Sequence, residues 1–131
     1  MKKIDLACII DDDPVHIFVT TDELEKTKMF DTITSYKNGK EAFEALKAIH
    51  ESKEQLPDLI LLDLNMPIWD GWDFLDEFTQ LDIEEKIVIL IITSSNNPED
   101  ILKAKNYDEV QNFVVKPVTA DLIMDELKNY Q

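Results

Sequence analysis

The sequence predicts an α/β fold in which a five-stranded parallel sheet is covered by helices on both faces. Four short runs rich in Ile, Leu and Val have the length and composition of strands buried on both faces, at residues 4–10, 59–62, 87–92 and 113–115. A weaker fifth strand is predicted at 32–36. Segments with helical periodicity separate and follow these strands, and strict alternation of strand and helix is typical of a doubly wound parallel sheet.

Five helices are predicted from apolar stripes and from start signals. The first is expected from Pro14 to about Phe30, although its apolar face is weak. Apolar stripes at helical spacing fall within 42–49, 74–81 and 120–127. The other four helices have residues suited to the N-cap, which are Asn38, Asp70, Asn97 and Thr119. Each helix therefore begins shortly after a predicted strand ends.

The length and composition indicate one compact domain over residues 1–131. Apolar residues make up 44% of the 131 residues and are spread along the whole chain. The formal charge is −15, from 28 acidic and 13 basic side chains, so nucleic acid and anionic membrane surfaces should repel the molecule. Direct nucleic-acid binding is therefore not expected, and most of the charge is interpreted as a solvated surface.

The remaining bulk features point to a cytoplasmic protein. The single cysteine, Cys8, lies within the first apolar run and is interpreted as a buried hydrophobic residue. The longest uninterrupted aliphatic run, 87–92, is far shorter than the ~20 residues that cross a bilayer. The N-terminus lacks the apolar stretch of a signal peptide. No membrane association is expected.

Polar side chains are concentrated where the predicted strands end. Asp63 follows the second strong apolar run, and Asp11 and Asp12 follow the first. Thr93 and Lys116 follow the last two. In open parallel sheets the carboxyl ends of the strands form the ligand-binding edge. Carboxylates from two strands form an all-oxygen environment that suits Mg²⁺, with Mn²⁺ as an alternative ion, and together with a lysine they are typical of phosphoryl transfer.

Four motifs in order resemble those of response regulator receiver domains, over about residues 4–130. The motifs are Ile9-Ile10-Asp11-Asp12-Asp13-Pro14, Leu61-Leu62-Asp63-Leu64-Asn65-Met66-Pro67 with Asp70-Gly71, Ile92-Thr93-Ser94 and Val115-Lys116-Pro117. The resemblance implies a flavodoxin-like sheet with strand order 2-1-3-4-5. It also implies a signalling switch that catalyses only its own phosphorylation and dephosphorylation.

The resemblance implies a role for each residue of the site. Asp63 would be the phosphoacceptor and would receive a phosphoryl group from a histidine of a kinase or phosphotransfer protein. Asp12 and Asp63 would bind Mg²⁺ through their side chains, Asn65 through its backbone carbonyl and Asp11 through water. The residues that would contact the phosphoryl oxygens are Thr93 and Lys116.

Further implied features concern the switch. Thr93 and Phe113 would be the switch residues, although Phe113 lacks the hydroxyl of a tyrosine. The Lys116–Pro117 peptide bond would be cis, and Asn65 and Ser95 would influence the lifetime of the phosphate. The protein would act as a monomer or as a phosphorylation-dependent dimer on an unidentified target. It would be either a single-domain regulator or a receiver from a longer chain such as a hybrid kinase.

Two residues near the acidic motif have plainer interpretations. Asp13 is interpreted as a solvated charge at the start of the first helix, where negative charge is favoured. His16 could lie close to the acidic cluster, but it is interpreted as a partly exposed helix histidine.

Two other functions are compatible with the predicted architecture. A phosphatase of the haloacid dehalogenase type also uses an aspartate nucleophile, but it requires a second aspartate where this chain has Asn65. Steady turnover of a phosphomonoester would favour that enzyme. A flavin-binding protein would need a Ser-, Thr- and Gly-rich phosphate loop after the first strand, where this chain has three aspartates. A flavin absorbance spectrum would favour that class.

Overall fold

The computed structural model describes residues 4–94 and 97–128 and confirms the predicted α/β fold. Five parallel strands form one sheet in the order β2-β1-β3-β4-β5, as predicted. The strands are β1 (Ile4–Ile10), β2 (Phe30–Tyr36), β3 (Leu59–Asp63), β4 (Val88–Thr93) and β5 (Val110–Val115). The helices are α1 (Pro14–Thr27), α2 (Gly39–Glu51), α3 (Gly71–Phe78), α4 (Pro98–Ala104) and α5 (Ala120–Glu126).

The hydrophobic core lies on both faces of the sheet. Every residue of β3 and β4 is buried, which explains why these strands are uninterrupted apolar runs in the sequence. One buried cluster joins the sheet to α2, α3 and α4, and the other joins it to α1 and α5. Strands β3 and β4 are therefore fixed from both sides, and the end of β3 is held in place.

The helix N-termini follow the predicted start signals. Each predicted N-cap side chain accepts a hydrogen bond from a backbone N–H two or three residues ahead, and these caps are Asn38, Asp70, Asn97 and Thr119. Asp13 caps α1 and is exposed, and Pro14 occupies the first helical position. These helices start at the same edge of the sheet, next to the carboxyl ends of the strands.

Several element boundaries were predicted wrongly. Helix α1 ends at Thr27 and not near Phe30, because Lys28 adopts a left-handed conformation (φ 56°) and its N–H donates to the Glu25 carbonyl. Phe30 is the first residue of β2. Helix α3 ends at Phe78, so Leu81 lies beyond it, although Leu81 still packs against the core.

The edge strand β5 is longer than predicted. It begins at Val110, three residues before the predicted start, and includes Gln111 and Asn112. These two polar side chains are exposed, and β5 has only β4 as a neighbour in the sheet. Only the last three residues of this strand, 113–115, therefore appear as an apolar run in the sequence. Among the helices formed by residues 4–94 and 97–128, none has the length and apolar content needed to cross a bilayer.

Candidate functional site at the carboxyl edge of the sheet

Neighbouring strands bring the predicted carboxylates together. Strands β1 and β3 pair in register up to Ile10 and Leu62, so Asp11 and Asp63 emerge side by side. Asp11 is 2% exposed and Asp63 is 5% exposed, whereas Asp12 is exposed. Each of the three offers one carboxylate oxygen, and these oxygens all lie within 4.8 Å of one another. The fold thus concentrates three negative charges at a largely buried position.

Lys116 supplies a positive charge to this cluster. Its Nζ lies 3.4 Å from Asp11 Oδ2 and 3.8 Å from Asp63 Oδ1. The backbone N–H of Lys116 donates to the Thr93 carbonyl at 2.7 Å, which fixes the residue after β5 to the end of β4. The following peptide bond, to Pro117, is cis. One lysine therefore lies beside two buried carboxylates from different strands.

The surroundings of Asp63 change its acidity. Burial and the nearby Asp11 carboxylate raise the pKa of Asp63 from 3.8 to about 6, although the Lys116 ammonium group acts in the opposite direction. Loss of hydration disfavours the charged form, and a neighbouring carboxylate disfavours it further. Metal-free Asp63 is therefore an acid whose ionised form is costly in the folded protein.

The turn after β3 sets the direction of Asp63. The N–H of Gly71 donates to the Leu64 carbonyl at 2.9 Å, which folds the loop back onto the strand end. Asp70 and Asp73 then form a reciprocal capping box at the start of α3. A Cβ at position 71 would lie 2.7 Å from the Asp63 carbonyl oxygen, so only glycine fits this turn without a shift. Asn65 is exposed within the same loop.

The remaining predicted residues surround this cluster at different depths. Thr93 is fully buried at the end of β4, one residue beyond the partner of Asp63 in the sheet register. Phe113 is half-buried in β5 and packs against the core cluster under α4. Ser95 lies outside the described residues. Thr93 and Phe113 thus lie on β4 and β5, the two strands that follow β3 in the sheet.

His16 is a residue of the site that the sequence interpretation missed. It was interpreted as a partly exposed helix histidine that could lie close to the acidic cluster, and the structure places it in α1 with intermediate exposure. The contact that was not predicted is the one between its Nδ1 and Asp11 Oδ2, at 2.5 Å. Position 16 falls in the first turn of α1, which turns this side chain back toward the end of β1. The only signal in the sequence is its short separation from the acidic motif, and that signal does not define the direction of the side chain.

The donor set fits a hard divalent cation. The clustered ligand atoms are carboxylate oxygens from Asp11, Asp12 and Asp63, and Mg²⁺ prefers a small number of carboxylates together with water. The exposure of Asp12 leaves one side of the cluster open to solvent. Carboxylates held this close need a cation to offset their repulsion, and Lys116 alone supplies one charge against three.

A comparison with protein families decides the assignment. Residues 7–128 match the family model of the response regulator receiver domain. The chain belongs to this family. Receiver domains of this kind are parts of two-component signalling systems and act as signalling switches rather than as classical enzymes.

Individual relatives agree with the receiver domain assignment. The chain is 29% identical over 116 residues to the chemotaxis protein CheY of Bacillus subtilis, covering 86% of this chain and 94% of that protein. It is 32% identical over 97 residues to the sporulation initiation phosphotransferase F of the same organism, covering 72% of this chain and 76% of that protein. A crystal structure of a two-component response regulator from Cytophaga hutchinsonii superposes with a TM-score of 0.88 at 31% identity, covering 97% and 96% of the two chains.

Proposed function

We propose that this receiver domain, taken as one unit over residues 1–131, is a phosphorylation-driven switch in which Asp63 accepts a phosphoryl group from a histidine of a partner protein. The observation that carries the proposal is the position of Asp63, which is nearly buried at the end of an inner strand and lies 3.8 Å from Lys116. Two buried carboxylates that share one lysine are costly in such a place, so a specific chemical role is the best explanation.

The transfer is a displacement at phosphorus. An oxygen of ionised Asp63 attacks the phosphorus of a phosphohistidine, the P–O bond forms and the P–N bond breaks. The electron pair of that bond returns to the imidazole nitrogen of the partner, which then takes a proton from solvent. Lys116 balances the charge on the incoming phosphoryl oxygens, since it already lies beside the acceptor oxygen.

A divalent cation would be held by the acidic cluster. Asp12 and Asp63 would bind Mg²⁺ through carboxylate oxygens, Asp11 through water and Asn65 through its backbone carbonyl. When bound, Mg²⁺ supplies positive charge that offsets the repulsion between the carboxylates and the phosphoryl group. The short separations between the Asp11, Asp12 and Asp63 oxygens support this assignment.

The response to phosphate would pass through the last two strands. Thr93 is the first residue beyond Asp63 on the neighbouring strand, and its carbonyl accepts from the Lys116 N–H. A phosphoryl group on Asp63 would accept hydrogen bonds from the Thr93 hydroxyl and from Lys116. Phe113 would then change its orientation, because its side chain on β5 lines a cleft next to α4. Such a switch shifts an existing equilibrium, with a coupling free energy of ~1–3 kcal/mol.

Intact-mass spectrometry tests the acceptor. The protein is incubated with Mg²⁺ and a small-molecule phosphodonor such as acetyl phosphate. The wild type should gain the mass of one phosphoryl group, and Asp63→Asn should gain none. Asp13→Asn is the matched control, because this exposed N-cap carboxylate lies in the same acidic motif but outside the proposed ligand set. Equal labelling of the wild type and Asp63→Asn would contradict the proposal.

The partner is tested with a phosphorylated donor protein. A phosphohistidine-containing phosphotransfer protein or histidine kinase should transfer its label to the wild type and not to Asp63→Asn. Size-exclusion chromatography before and after labelling then distinguishes a monomer from a phosphorylation-dependent dimer. Transfer to a position other than 63 would contradict the assignment of the acceptor.

A further inference from the structure

The His16 side chain is hydrogen-bonded to a carboxylate of the acidic cluster and is only 13% exposed. Its Nδ1 lies 2.5 Å from Asp11 Oδ2, and the Lys116 ammonium lies 3.4 Å from the same oxygen. The other oxygen, Asp11 Oδ1, accepts the backbone N–H of Asp13 at 2.9 Å. Both oxygens of this buried carboxylate are therefore occupied by donors from three different residues.

The second ring nitrogen of His16 also has a partner. His16 Nε2 lies 3.4 Å from Thr20 Oγ1, and Thr20 is 1% exposed one helical turn further along α1. An ionised Asp11 only accepts hydrogen bonds, so Nδ1 is the donor in its contact with Asp11. The Thr20 contact holds the other side of the ring. His16 thus connects a buried hydroxyl of α1 to the carboxylate at the end of β1.

We propose that His16 is a positioning residue that orients the Asp11 carboxylate for divalent cation binding. This inference rests on the proposed function, because it assumes that Asp11 contributes to an Mg²⁺ site. Hydrogen-bond partners of metal-binding carboxylates fix their orientation, and removing such a partner typically costs 10–100-fold in metal affinity. His16 contacts the Asp11 carboxylate from helix α1, whereas Lys116 contacts it from the segment after β5.

His16 also determines how Lys116 is shared. The ammonium lies 3.4 Å from Asp11 and 3.8 Å from Asp63, so it is placed between two carboxylates that compete for it. Without the imidazole donor, Asp11 Oδ2 has Lys116 as its remaining side-chain donor, and the ammonium is drawn toward Asp11. His16 thereby keeps Lys116 within reach of Asp63, where phosphoryl oxygens would arrive.

Magnesium affinity in a set of histidine variants tests this role. The dissociation constant for Mg²⁺ is measured by isothermal titration calorimetry for the wild type, His16→Leu and His16→Asn. Leucine fills space without a donor, whereas the asparagine amide can donate to Asp11 from nearly the position of Nδ1. His16→Leu should bind Mg²⁺ about tenfold more weakly. His16→Asn should bind close to the wild type, and His50→Leu is the matched control on α2.

The outcomes separate the two proposals. Equal affinity of the wild type and His16→Leu, or a loss in His16→Asn as large as in His16→Leu, would overturn the role of His16 while leaving the metal site intact. Absence of Mg²⁺ binding by the wild type would instead overturn the metal site in the proposed function, and this inference with it.

A measurement on the unaltered protein removes any dependence on the folding of the variants. The ¹⁵N chemical shifts of the His16 ring, recorded without metal, identify which ring nitrogens carry a proton. Nδ1 should be protonated. An Nδ1 without a proton would show that His16 does not donate to Asp11 and would overturn the inference.

Discussion

In two regions of this receiver domain, carboxylate side chains lie next to hydrogen-bond or ion-pair donors. The two regions differ in how deeply these carboxylates are buried. At the carboxyl edge of the sheet, Asp11 and Asp63 are almost completely buried beside Lys116. On the surface between α3 and α4, the Tyr107 hydroxyl donates to the exposed Asp76 at 2.6 Å. Only the first region involves charges that have lost most of their water.

The surface region is an aromatic cluster defined by Trp72, Asp76, Lys103 and Tyr107. The rings of Trp72 and Tyr107 stack with centroids 5.7 Å apart, and Lys103 Nζ lies 4.8 Å from the centre of the Trp72 ring. Burial of the phenol, followed by the Asp76 hydrogen bond, raises the pKa of Tyr107 to about 12. This aromatic cluster attaches α4 to α3 through groups that remain partly hydrated.

The difference indicates that local environment, and not the number of acidic residues, determines which carboxylates have a raised pKa. The chain has a formal charge of −15, yet the acidic side chain whose pKa is clearly raised is Asp63, at a strand end between other carboxylates. Solvated ion pairs and hydrogen bonds contribute ~0–1 kcal/mol, whereas buried charges contribute several times more when their partners change.

Gly71→Ala should have the largest effect on stability, and it acts on the turn under Asp63. The new Cβ would lie 2.7 Å from the Asp63 carbonyl oxygen and 3.0 Å from Leu64 Cα, so the backbone of the site must move. We expect a loss of about 3 kcal/mol in the free energy of unfolding, measured by urea denaturation. Gly39→Ala is the matched control, because its closest contact is 3.0 Å and its cost should be smaller. A fully stable Gly71→Ala would contradict the tight turn.

Mg²⁺ should stabilise the folded protein through the buried region. At ~100 times its dissociation constant, a ligand that binds only the folded state adds ~2.7 kcal/mol to the free energy of unfolding. Thermal unfolding in MgCl₂ is compared with NaCl of equal ionic strength, which separates specific binding from charge screening. Asp12→Asn should lose most of the gain. An identical Tm in the two salts would count against the metal site.

Asp63 should make the metal-free protein less stable as the pH rises. Its pKa is about 6 when folded and ~3.9 in an unfolded chain, so the folded state binds more protons between these values and the free energy of unfolding falls as pH increases through them. At about pH 7.5, the free energy of unfolding of Asp63→Asn should be higher than that of the wild type by on the order of 2 kcal/mol. This difference should disappear near pH 4.

Urea unfolding in a chelator at several pH values measures this difference. The matched control is Asp13→Asn, whose carboxylate is exposed at the start of α1 and should not reproduce the pH-dependent gain. A constant difference between Asp63→Asn and the wild type over this pH range would contradict the raised pKa of Asp63.

Tyr107→Phe should have the smallest effect, because it acts on the hydrated aromatic cluster. Loss of the hydrogen bond to Asp76 should cost ~1 kcal/mol or less. A double-mutant cycle with Asp76→Asn in urea denaturation isolates the pairwise contribution. A coupling free energy as large as the effect of Gly71→Ala would show that the contrast between the buried and exposed regions is wrong.

Much of the architecture could be predicted from local patterns. The inner strands β3 and β4 are buried on both faces and therefore appear as uninterrupted apolar runs. N-caps act within one helical turn, so Asn38 and Asp70 could be identified without knowledge of the fold. The boundaries were less predictable where long-range packing dominates, as in the edge strand β5 and at Lys28, where a residue other than glycine adopts a left-handed conformation.

The order of strands and helices and the polar residues at the strand ends could be predicted from the sequence, because both depend on periodicity and on neighbours along the chain. Knowledge of the packed fold was needed to find that His16 is hydrogen-bonded to Asp11, that Lys116 lies between Asp11 and Asp63, and that Gly71 has no space for a Cβ. These contacts join residues from different strands and helices, and their distances depend on how the elements pack. The acidic residues of the site could thus be named in advance, but the pKa of Asp63 and the partners of Asp11 could not.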